Sequence, residues 1–241
     1  MNRLTRPQGA VVVVMAKRPE PGRTKTRLCP PLSPSDAAEL YEAMLGDTIA
    51  LAAAARGAQL AIAVTPASAL DVWRPDVPEG TLILGIDGPT IGECLETAAT
   101  ELFNRGCSPV MAVNSDGPTL PRGRIEAACA LLDTHDVVLG PSDDGGYYLI
   151  GLARPQPTLF RDVPWSTPVV ADLTRSRARE LELSFAELPR WYDVDTAADL
   201  HRLRVELASL PADVAPRTRR FFADRSASLA PAHQRASEVS E

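Results

Sequence analysis

The sequence predicts an α/β sandwich on a mainly parallel central sheet, and three observations carry that prediction. Apolar, β-branched runs alternate with longer amphipathic stretches along most of the chain. Two of the runs, residues 10–15 (AVVVVM) and 109–113 (PVMAV), are apolar at almost every position, the pattern of strands covered on both faces. The charged, motif-rich loops follow strands rather than helices, and a parallel sheet gathers its ligands at the carboxyl ends of its strands.

The elements follow in order. Residues 10–15 form the first strand. Ser33-Pro34-Ser35-Asp36 then supplies an N-cap, a proline at the first helical position and an acidic first turn, opening a helix that stops at Gly57. Strands are expected at 59–65 and 81–84, a helix over 91–105 ending at Gly106, and a strand at 109–113. A helix over 122–132 leads to a strand at 136–139, another at 147–152 and a short late one at 184–188. Thr196 and Asp199 have capping-box spacing before a helix ending near Leu210. Residues 1–9 read as an N-terminal tail and 10–210 as a single domain. Residues 211–241, without apolar periodicity, read as a mobile tail with a short helix near 219–222.

Composition narrows the function. The 241 residues are 45% hydrophobic and 23% charged, ordinary globular usage that excludes wholesale disorder. A net charge of −6 argues against a nucleic-acid partner. No run approaches the roughly 18 apolar residues of a membrane span, and the apolar run ending at Ala16 is too short for a signal peptide, so a cytoplasmic protein is expected. Cys29, Cys94, Cys107 and Cys129 form no C-x-x-C pair, which disfavours zinc and a disulfide framework.

Only two of the 25 basic residues are lysines, Lys17 and Lys25, and both lie in the loop after the first strand. Where arginine has been used almost everywhere else, retained lysines suggest a need for a compact point charge. That loop holds Lys17, Arg18, Arg23, Lys25 and Arg27 around Gly22, a composition suited to a pyrophosphate: the cations neutralise charge and glycine lets the backbone approach. It is not a P-loop.

Three further motifs end strands. Ser115-Asp116-Gly117 offers a carboxylate for Mg²⁺ or Mn²⁺, or a turn cap. Residues 140–149 (GPSDDGGYYL) place Asp143 and Asp144 before Gly145 and Gly146, which suggests carboxylates facing a hydroxyl or metal and backbone pressed on a ligand. Asp193 and Asp195 alternate in an extended segment, so both can approach one cation.

With these segments in order, the chain resembles the GT-A-like family called domain of unknown function 2064, also known as radical-SAM/selenodomain-associated or arsenosugar-biosynthesis transferases. The matching stretches are residues 15–28, 115–120, 140–152, 165–167 and 193–196. More distantly the chain is similar to the 2-phospho-L-lactate guanylyltransferases, which share the G-x-x-K-T-R-L loop. The segment 85–94 departs from the family pattern: the glutamine and arginine expected there are absent, and Cys94 stands where the arginine would be.

The resemblance implies a nucleotide-diphospho-sugar transferase-like, Rossmann-like sandwich and a metal-dependent transferase with a nucleotide-activated donor, most simply a glycosyltransferase with a small-molecule acceptor. Nucleotidyl transfer to a phosphorylated acid and a non-catalytic nucleotide-binding role are the alternatives. On this reading Lys17, Arg18, Gly22, Arg23, Lys25 and Arg27 hold donor phosphates. Asp116, Asp193 and Asp195 hold Mg²⁺ or Mn²⁺. Asp116, Asp143 and Asp144 are the catalytic candidates, and Ser115, Gly145 and Gly146 meet substrate. Expected partners are a nucleotide or nucleotide sugar and the acceptor, with no nucleic acid and no membrane, and with a homodimer left open.

Overall fold

The structure, a computed structural model, describes residues 9–225; the expected tail residues 1–8 and 226–241 lie outside the described residues. Its strands are β1 (Gly9–Lys17), β2 (Gln59–Thr65), β3 (Leu82–Gly85), β4 (Cys107–Val113), β5 (Val137–Pro141), β6 (Tyr147–Leu152) and β7 (Phe185–Glu187). Its helices are α1 (Pro34–Ala53), α2 (Ile91–Asn104), α3 (Gly123–Leu131), α4 (Val170–Glu180), α5 (Ala197–Ser209) and α6 (Pro216–Asp224).

The strands form one sheet in the order β3-β2-β1-β4-β6-β5-β7. All run parallel except β6, which is antiparallel to both neighbours. The link from β5 to β6 is a tight turn, too short for the crossover that a parallel pair needs, so the chain must reverse.

Alternation along β1 explains the unbroken apolar run. Val12 and Val14 enter one core with α1, α3, α5 and α6, while Val11 and Val13 enter a second core with α2 and α4. Helices therefore cover both faces, and a polar residue at any of the four positions would be buried. Each buried valine contributes about 1.5–3 kcal/mol relative to exposure.

Two helices depart from the sequence expectation. α4 was not anticipated, because its buried stripe (Val170, Ala171, Thr174, Ala178) is small and its remaining surface is charged. α6 contains the short helix expected near 219–222, but it begins at Pro216 and packs on α1 instead of lying in a tail, so the reading of 211–241 as a tail is corrected as far as residue 225. Its N-terminus has no local side-chain cap. Instead the Asp47 carboxylate of α1 accepts the backbone N–H groups of Arg217 (3.0 Å) and Thr218 (2.8 Å), and Phe221 is buried against α1. Such a cap supplied across 170 residues leaves no mark in local sequence. Among the described residues no helix is long and apolar enough to cross a membrane.

Candidate active site

The strand order reverses between β1 and β4: β2 and β3 lie to one side of β1, and β4 to the other. A parallel sheet opens a crevice at such a point. Tyr41 of α1 ties its walls together, accepting the N–H of Lys17 (3.0 Å) and pairing with the Ser115 hydroxyl (2.9 Å).

The loop after β1 is folded on itself. The Arg23 and Thr24 N–H groups both donate to the Glu20 carbonyl, and the Glu20 N–H donates to the Thr24 hydroxyl. Gly22 takes φ +76°, and Lys25 takes the left-handed conformation at φ 50°, unusual for a residue with a side chain. That turn sends Lys25 inward. Its ammonium lies 2.5 Å from Asp116 Oδ2 and 2.6 Å from Asp195 Oδ1, and its side chain is only 7% exposed. Burial alone would lower its pKa, but the two carboxylates more than offset this and hold the ammonium above its ordinary value.

Asp116 and Asp195 are thus brought together around a cation. Asp116 Oδ1 is buried without a hydrogen-bond partner. Asp193 stands beside them, accepting from Asn114 Nδ2 through one oxygen and from the Ser142 hydroxyl (3.1 Å) through the other. Its carboxyl is pushed well above the ordinary range, first by burial and then by Asp116 and Asp144. Among the described residues no group of three His, Cys, Asp or Glu side chains is set to hold a metal ion as it stands. Lys25 fills the gap between two of the expected ligands, and Asn114 and Ser142 take both oxygens of the third.

Two cavities meet here. The first, about 390 Å³, is lined by Lys17, Arg23, Lys25 and Arg27 with Ser115 and Asp116. The second, about 510 Å³, runs under β6 and the 165–168 loop and is lined by Asp144, Gly146, Tyr147 and Trp165. Met15, Arg27, Ile91, Asn114, Asp193 and Asp195 line both.

Several expected residues sit elsewhere. Arg18 turns to Glu20 (3.4 Å) and lines a neighbouring cleft at the end of β2. Gly22 lines neither cavity and serves the loop turn. Asp143, expected beside the acceptor, forms an ion pair with Arg202 of α5 at 2.7 Å and lines neither cavity. Gly145 is needed for φ +89° and because a Cβ there would lie 2.0 Å from the Pro168 carbonyl oxygen; its open side faces protein, not ligand. Cys94 is buried, 3.6 Å from Thr65 Oγ1 and from the Gly88 carbonyl. Sequence reasoning missed Tyr41 and Ile91, and gave no role to Asn114, which opens the motif at the end of β4. Tyr41 reads as an ordinary core residue of α1, and Ile91 as one apolar position of an amphipathic helix.

The fold and this crevice define the nucleotide-diphospho-sugar transferase-like class of α/β proteins. Residues 48–167 match the family described as "Uncharacterized protein conserved in bacteria (DUF2064)". A candidate nucleotide-diphospho-sugar transferase from Desulfovibrio desulfuricans G20 is 29% identical, with a TM-score of 0.82 over 92% of this chain and 97% of that one. A Mycobacterium tuberculosis H37Rv protein in complex with manganese shares the fold at 18% identity, with a TM-score of 0.50 over 81% of this chain and 97% of that one. A CMP:2-keto-3-deoxy-manno-octonic acid synthetase complexed with CTP shares it at 13% identity, with a TM-score of 0.52 over 84% of this chain and 99% of that one. No curated protein matches the chain in sequence.

Proposed function

We propose that the protein transfers a glycosyl group from a nucleotide-activated donor to the hydroxyl of a small acceptor. The observation that carries this reading is the pair of cavities of opposite character sharing a carboxylate rim: cationic on one side, apolar and acidic on the other. Lys17, Arg23 and Arg27 are suited to donor phosphates. Asp144 lines the second cavity, and its Oδ1 accepts the Gly146 N–H at 2.9 Å, a bond that orients the carboxylate. In the step proposed, the acceptor oxygen bonds to the anomeric carbon and its proton passes to Asp144. The bond from that carbon to the diphosphate oxygen breaks, and the nucleoside diphosphate leaves with the electron pair.

Carboxylate oxygens are the ligands a hard divalent cation takes, and here a cation would have to displace Lys25 from between Asp116 and Asp195. Asp116 carries a buried oxygen without a donor, and Asp195 shares its counter-charge. Asp116, Asp195 and Asp193 would hold Mg²⁺ or Mn²⁺, which would neutralise charge on the departing diphosphate.

Product analysis with a nucleotide-sugar panel tests the reading. Release of free nucleoside diphosphate together with a glycosylated acceptor is expected. Pyrophosphate release from a nucleoside triphosphate, without activity on any nucleotide sugar, overturns it in favour of nucleotidyl transfer.

A further inference from the structure

We infer that the second cavity selects an uncharged acceptor that lays an apolar ring face against Trp165 and excludes phosphorylated or carboxylated ones. The inference rests on the transfer reading above and names the class of its second substrate.

The first argument is charge. Among the described residues lining this cavity, Arg27 is the single cation, against Asp144, Asp193 and Asp195. Arg27 stands on the shared rim, with 71% of its side chain exposed and Asp195 at 3.9 Å. Lys17, Arg23 and Lys25 all line the other cavity. An anionic acceptor would therefore lose its hydration and meet Asp144 with no cation beside it, because Asp195 is already answered by Lys25 and Arg27; that unfavourable pairing acts as selection.

The second argument is the wall. Trp165, Tyr147, Ile91, Leu95, Met15 and Val170 present apolar surface to the cavity. Tyr147 meets Trp165 edge-on, with centroids 6.2 Å apart and planes at 83°, an arrangement that fixes the indole. Ile91 is unusually exposed for an isoleucine, and its exposed surface lies in both cavities. The Tyr147 hydroxyl is buried without a hydrogen-bond partner, so the ring offers the cavity its apolar surface and not its oxygen.

The third argument is rigidity. A Cβ on Gly92, at the start of α2, would lie 2.1 Å from the Trp165 ring, so the indole rests directly on helix backbone. Gly145 receives the Pro168 carbonyl in the same way. Two glycines thus seat both ends of the 165–168 segment, and the ring-binding wall exists before any ligand arrives. Binding a ring there costs little ordering of protein.

A matched pair of probes tests this: phenyl β-D-glucoside and its 6-phosphate, titrated by calorimetry with saturating pyrophosphate to cover the cationic cavity. The neutral glucoside is expected to bind at least about tenfold more tightly than the phosphate. Trp165→Ala should weaken glucoside binding by about tenfold or more, Trp165→Phe should retain most of it, and pyrophosphate affinity should be unchanged in both. Gly92→Ala, which keeps the indole but moves it, should behave like Trp165→Ala. Equal or tighter binding of the phosphate, no glucoside binding up to about 10 mM, or an unchanged Trp165→Ala overturns the inference. If pyrophosphate itself fails to bind while the glucoside pair behaves as expected, the donor reading falls and the acceptor class stands.

Discussion

Lys25 joins two carboxylates contributed from 91 and 170 positions further along the chain, and its ammonium is nearly sealed from solvent. Taking away one member of such a cluster leaves like charges uncompensated. Lys25→Met, which keeps the length of the side chain, should lower stability by about 1–3 kcal/mol in chelator, because Asp116 and Asp195 then repel. Added Mn²⁺ should restore much of that loss, giving the variant a larger metal-induced rise in melting temperature than the wild type. Equal rises in the two proteins would count against a cation seat between these carboxylates. The importance of Lys25 was legible from lysine scarcity and from its loop. Its partners were not, and the sequence therefore presents as a solvated phosphate ligand a residue that the fold turns inward. The same blindness explains Asp143: nothing near it announces Arg202, 59 positions away.

At the level of elements, the β5–β6 turn shows how a short segment can be read correctly in position and wrongly in purpose. Its two glycines were expected to admit ligand; Gly146 does line the second cavity, but Gly145 admits the Pro168 carbonyl. Gly145→Ala combines positive φ with a backbone clash and should cost about 2–4 kcal/mol in denaturant unfolding; a loss under about 0.5 kcal/mol would contradict the packing described. The edge strand β7 is held differently. Asp136 accepts the Ser184 hydroxyl (2.7 Å) and N–H (3.0 Å), and these bonds hold its carboxyl below the ordinary range, with Arg154 (2.9 Å) adding to the effect. A lowered folded-state pKa stabilises above the ordinary carboxylate value and is lost as pH falls through the folded value. Asp136→Ala should therefore melt below the wild type at neutral pH, and the two should converge as the pH falls below the ordinary carboxylate value, as thermal melts across pH will show. Strands with a full apolar pattern, such as β1 and β4, were legible at once. α4 was not, because most of its eleven residues are polar or charged and its buried stripe is built from small side chains.

For the molecule as a whole, α6 closes the face that α1 begins. Asp47 caps it, and Arg225 reaches back to Asp36 (2.6 Å) and stacks over Phe221 at 4.4 Å. Ending the chain after Leu210 would strip cover from α1 and leave the Asp47 carboxylate buried in part without its N–H donors. The truncated protein should show a clearly lower melting temperature and bind a hydrophobic dye; an unchanged melt would restore residues 10–210 as the folded unit.

Because every strand except β6 runs the same way, both cavities lie on one rim of the sheet and the connections entering β2, β4 and β5 lie on the opposite rim. That far rim is available for handling the protein. Gly106, exposed, at φ +88° and with nothing near the place a Cβ would take, is a natural point for a tether or an inserted epitope. A surface-immobilised molecule attached there would present its crevice outward, so that probe titrations on a sensor chip should reproduce those in solution.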